Sequence, residues 1–227
     1  MNSFPSYSGP VSSADSVAAE FAGKVYGWLA AGLLASAVTA YQVSHNASLL
    51  NSAGTHIELW LILPFVPLLV LSFAGQRVPA VVAIALYLGF CFIEGMSLGV
   101  IVSYYTTASV TLALVTTGGL FAAMAVVGTV IKRDLTSLGG FLFVALIGLI
   151  VASLANLFFA STTLMWAITY LGIAIFLGFS AYDAQRVKRI ALSGGASTNM
   201  AVMCAVKLYL DILNLFLFLL RIFGRQR

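Results

Sequence analysis

Seven near-continuous apolar runs, each close to the length that crosses a bilayer as a helix, constrain this chain more than any other feature. They lie at about 25–43, 57–75, 78–104, 110–131, 138–159, 163–183 and 204–223. A hydrocarbon core ~30 Å thick takes ~20 residues of α-helix. The runs are continuously apolar and do not alternate, which favours helices over a barrel. A soluble reading fails on charge, because 8% of the residues are charged where a water-soluble domain has roughly a quarter. The expected fold is an all-α polytopic membrane protein, a seven-transmembrane-helix bundle in contact with the lipid bilayer.

The net charge of +4 is modest, and its basic residues cluster at span ends, so nucleic acid is not an expected partner. Cys91 and Cys204 fall in or beside apolar runs without metal-site spacing and read as small packing residues. Residues 1–22 read as a disordered cytoplasmic tail with no signal-peptide core, and 23–227 as one transmembrane domain. Pro64 and Pro67 predict a break in the second span, and Pro79 a start for the third. Gly118, Gly119, Gly139, Gly140 and Gly148 suit close helix packing. His45 and His56 read as surface residues of the first outer loop.

Lysine and arginine set the orientation. Lys24, Arg77, Lys132, Arg133, Arg186, Lys188, Arg189 and Lys207 all fall on the N-terminal side of a seven-span path, which predicts a cytoplasmic amino terminus. Arg221, Arg225 and Arg227 then lie outside, unless the last segment is re-entrant. Seven crossings is the expected path, because the last run is long enough to cross.

Acids within spans are expensive and mark candidate sites. Glu94, Asp183 and Asp211 qualify, whereas Asp134 beside Lys132 and Arg133 reads as part of a solvated loop cluster. On the last span Lys207, Asp211, Asn214 and Arg221 share one sector of about 80°, a polar stripe that must avoid lipid. Asp183 ends the sixth run, so two acids on consecutive antiparallel helices can meet. Two ionised carboxylates ~4 Å apart repel by ~4 kcal/mol at an effective dielectric of 20. Such a pair therefore holds one proton between them. Shared, the proton ties the helices together; lost, it leaves like charges pushing apart. Bare carboxylates also offer hard oxygen to a passing Ca²⁺. Arg77, at the cytoplasmic mouth of the second span, is a candidate third member of the cluster, and Glu94, with Tyr87, Cys91, Ser97 and Tyr105 on its face, a candidate pore-lining acid.

At these residues the chain resembles the Bax inhibitor (transmembrane Bax inhibitor motif) family. Lys132-Arg133-Asp134-Leu135-Thr136, Ala181-Tyr182-Asp183-Ala184-Gln185 and Glu94-Gly95-Met96-Ser97-Leu98 are similar to its motifs. The last helix resembles it most, in Leu208-Tyr209-Leu210-Asp211-Ile212-Leu213-Asn214-Leu215-Phe216 and Leu219-Leu220-Arg221-Ile222-Phe223-Gly224. The likeness runs from about Lys24 to Arg227 and is strongest to a bacterial inner-membrane branch. It implies a central last helix and a pH-sensitive calcium leak governed by Asp183 and Asp211. It also implies an arginine latch, for which the nearest residue here is Arg77, next to Gln76. Calcium ions and protons are then the expected small partners, with no bound cofactor. In one bacterial branch a membrane protease is a partner.

Three rival functions remain open at this point. The chain can be an interaction protein that modulates other membrane proteins, with acids that only fix its fold. It can be a proton-coupled transporter. It can be an intramembrane aspartyl protease, but no Gly-X-Gly-Asp precedes Asp211, so no enzyme is expected.

Overall fold

The computed structural model describes residues 13–226. Among the described residues nine helices follow one another: α1 (Ser13–His45), α2 (Ala47–Thr55), α3 (Ile57–Ile62), α4 (Phe65–Ala74), α5 (Ala80–Ser103), α6 (Thr107–Val130), α7 (Thr136–Phe159), α8 (Thr162–Leu192) and α9 (Thr198–Phe223). Seven segments among the described residues are long and apolar enough to cross a membrane, with α3 and α4 together making the second. The chain is a multi-pass membrane protein, as its apolar runs predicted.

Local chemistry accounts for most of the boundaries. Pro64 lacks an N–H and its ring crowds the preceding turn, and the second span breaks there into α3 and α4. Side-chain oxygens of Thr106, Ser161 and Ser197 accept the free amides that open α6, α8 and α9. Two boundaries depart from expectation. Helix begins at Ser13, inside the expected disordered tail, whose first twelve residues lie outside those described. The sixth span does not stop at Asp183 but runs on as helix to Leu192, because Ala184, Gln185 and Val187 still have a packed face to cover.

The last helix is central. Over its most apolar stretch α9 is 61% buried, against 11% for α6 and α7. It packs on α1, α5, α6 and α8, while α7 leans on α8 and α4 on α5. Its end is tied to the α5–α6 turn: Thr106 N–H donates to Arg225 O at 3.0 Å, and Arg225 N–H to Ser109 Oγ at 3.0 Å. That turn lies at the opposite end of the bundle from Lys132 and Arg133. A continuous helix joining the two ends crosses fully, so the re-entrant path is excluded.

The glycines that let helices approach are mostly not those expected. A Cβ on Gly118, Gly119, Gly140 or Gly148 would meet nothing within 4 Å. On Gly128 it would lie 2.0 Å from the Ala181 carbonyl oxygen, and on Gly139 it would lie 2.5 Å from the Tyr182 ring. These contacts press α6 and α7 onto α8 immediately before Asp183.

Candidate functional site

Asp183 and Asp211 are both interior, 7% and 5% exposed. Asp183 lies nine residues before the end of α8, and Asp211 thirteen after the start of α9, roughly 14 and 20 Å in from those ends. Neither therefore sits at the end of its helix. The helices that carry them, α8 and α9, pack together. Each keeps one buried oxygen without a hydrogen-bond partner among the described residues, Asp183 Oδ1 and Asp211 Oδ2. Buried polar atoms are nearly always paired, and these two unpaired oxygens stand on helices that pack together. No group of three or more His, Cys, Asp or Glu side chains that could hold a metal occurs among the described residues.

The cations around the pair are Arg186 and Lys207. Arg186 Nη1 stands 4.0 Å from Asp183 Oδ1, one turn along α8. Lys207 is exposed on α9, four residues before Asp211. Arg77 is not part of this cluster. It is exposed in the α4–α5 turn and forms no ion pair with either acid. Asn199 Nδ2 holds that turn against the start of α9 by donating to Gly75 O at 2.7 Å and Val78 O at 2.8 Å. Asn199 is about 18 Å along the helix from Asp211 at 1.5 Å per residue, beyond an arginine's reach.

The remaining stripe residues have separate partners. Asn214 Nδ2 donates to Leu210 O of its own helix at 2.7 Å. Arg221 Nη1 reaches Thr169 Oγ1 on α8 at 3.3 Å, with its guanidinium 6.0 Å from the Phe218 ring centre. Glu94 is half-buried, and its carboxylate makes no hydrogen bond or ion pair among the described residues. Tyr87, Cys91 and Ser97 are buried against the bundle. Tyr209, outside the stripe, shares a 2.7 Å hydrogen bond with Ser36 Oγ, and Ser36 in turn reaches Cys91 O at 2.8 Å. This knot joins α1, α5 and α9 two residues from Asp211.

A second fastening escaped the sequence reading. Leu135 N–H donates to Gln185 Oε1 at 2.8 Å, and Gln185 Nε2 to Arg133 O at 2.8 Å. Arg189 Nη1 donates to Asp134 Oδ1 at 2.9 Å. Asp134 thus fastens the α6–α7 turn to α8 instead of standing in a purely solvated cluster. The Thr136 hydroxyl and amide, with the Arg189 charge, hold its carboxyl below the usual value of 3.8. With its folded value lowered, Asp134's contribution is present above the ordinary carboxylate range and is lost as pH falls through the lowered one. Gln185 is the stronger fastener, being 8% exposed. Gln185→Ala is expected to leave the Leu135 amide and Arg133 carbonyl unpaired, destabilising the protein by about 1–3 kcal/mol. Hydrogen exchange at Leu135 would read this directly, and an unchanged rate would contradict it. The available signal was Gln185 itself, two residues past Asp183.

Comparisons with known proteins agree with this architecture. The E. coli (strain K12) inner membrane protein YbhL is 39% identical over 212 residues, covering 90% of this chain and 91% of that protein. A Deinococcus radiodurans protein is 39% identical over 211 residues, covering 91% and 90%. One from Borreliella burgdorferi is 36% identical over 215 residues, covering 92% and 93%. The model of the family described as "Inhibitor of apoptosis-promoting Bax1" matches residues 18–227, and the chain belongs to that Bax inhibitor family.

Proposed function

We propose that the protein is a pH-sensitive calcium (cation) leak channel, gated by one proton shared between Asp183 and Asp211. The observation that carries this reading is the pair of orphaned carboxylate oxygens inside the bundle, on two helices that pack together. A proton held between them satisfies both oxygens and ties α8 to α9. Its loss leaves two like charges that repel in a medium of low dielectric. The pair is also a two-carboxylate step for an ion in transit, with far fewer oxygens than the six to eight of a resident Ca²⁺ site. No catalysis is part of this reading.

On this reading the protein lies in the bacterial inner membrane, like its E. coli relative YbhL, with its amino terminus cytoplasmic. The basic turns at Lys132–Arg133 and Arg186–Arg189 support that orientation.

Calcium flux into proteoliposomes, followed from pH 5 to 8, tests the proposal. The expected result is a flux that rises as the proton is released, and an Asp211→Asn variant whose flux no longer responds to pH. Folded wild-type protein that passes no calcium at any pH would overturn the channel. That outcome would favour binding to other membrane proteins as the function.

A further inference from the structure

A cavity of about 700 Å³ lies between α1 and α6, with α9 as its floor. We propose that it is a binding site for one acyl chain of a phospholipid from the leaflet on the His45 side. Three observations fix this occupant.

The cleft opens sideways into the bilayer. Leu34 of α1 and Leu114 of α6 form its lips and are 65% and 55% exposed on the membrane-spanning surface. The phase that meets this mouth is hydrocarbon, and the walls, among them Leu29, Leu33, Val110 and Phe216, are apolar.

Its polar groups gather mainly at one end. Ser44 and His45 close α1, and Ser103 and Thr107 flank the α5–α6 turn, all at the same end of the bundle. An amphiphile with its head at that interface and its chain pointing inward matches this polarity. Deeper in, Ser36 and Tyr209 satisfy one another and offer a chain end no unpaired polar group.

The size suits one flexible chain: a whole helix ~10 Å across and ~30 Å long occupies roughly 2,400 Å³ and could lay only one face into a cleft of about 700 Å³. A single flexible chain fits without parting α1 from α6.

The test uses the full protein in phosphatidylglycerol–phosphatidylethanolamine vesicles containing a phospholipid with a photoreactive diazirine on one acyl chain. Leu213 and Phe216 belong to α9, are 8% and 6% exposed, and line the cleft. Phe158 is 88% exposed and reports ordinary surrounding lipid. The expected result is labelling at Leu213 or Phe216 that saturates near one lipid per chain. Gly118→Trp should fill the cleft, since a Cβ there meets nothing within 4 Å. It should lower that labelling at least tenfold and leave Phe158 labelling unchanged. Ala37→Trp fills the cleft from the other wall and should do the same. Wild-type protein with no label on α9, or label there that persists in both folded variants, would overturn the site. If neither variant folds, saturation of the wild-type label decides: one lipid per chain supports the site, and a linear rise with lipid content overturns it.

Discussion

Gly128→Leu is expected to destabilise the folded bundle by about 3 kcal/mol or more, the upper end of what forced overpacking does. The physical reason is that the obstacle is backbone. A Cβ at Gly128 falls 2.0 Å from Ala181 O and 2.9 Å from Ala181 Cα, and a helix backbone cannot rotate aside as a side chain can. Relief comes only if α6 moves away from α8. That movement also strains the Gln185 fastening between the α6–α7 turn and α8. Equilibrium unfolding in mixed detergent would measure the effect, with Gly119→Leu as the control on the same helix, where the added Cβ meets open space. Equal stability for the two variants would mean that α6 and α8 do not meet as described.

Asp183→Asn and Asp211→Asn are expected not to add. If the two acids share one proton, then at pH 8, once it is lost, the wild type holds two like charges in its interior. Either substitution removes that repulsion and stabilises the fold, and the second has little left to remove. The double-mutant cycle should give a coupling of about 1–3 kcal/mol, within the range for residues that share a network. At pH 5 the shared proton is already in place, and an asparagine amide can donate in its stead, so each single change should alter stability much less. The sign follows from linkage. A folded chain that keeps a proton the unfolded chain releases loses stability as pH rises, and removing one acid flattens that slope. Additivity within about 0.3–0.5 kcal/mol at pH 8 would show the aspartates to be independent, and the gate would fail with it.

These predictions depend on features of differing visibility. The break at Pro64 and the helix starts after Thr106, Ser161 and Ser197 are local events, set by a missing N–H or by a side-chain oxygen within three residues. They could be read along the chain. So could the two aspartates, because charge inside an apolar run stands out whatever surrounds it. The glycines could not be sorted this way. Gly119 and Gly128 sit on the same helix in similar apolar surroundings, yet only one meets another backbone. Tyr209 falls off the polar stripe, yet it is the knot between α1, α5 and α9.

The chain by itself determined that there would be seven crossings, where most of them start, and which acids lie within them. Hydropathy and capping act over one or two turns, and a bilayer rewards them before any helix has a neighbour. Only the packed bundle decided that α8 runs past Asp183, that Arg186 and not Arg77 stands by the pair, and that Gln185 and Gly128 hold their surroundings in place. Those outcomes depend on which faces of distant segments meet, and in lipid that is settled by close fit between whole helices and not by the character of any one of them.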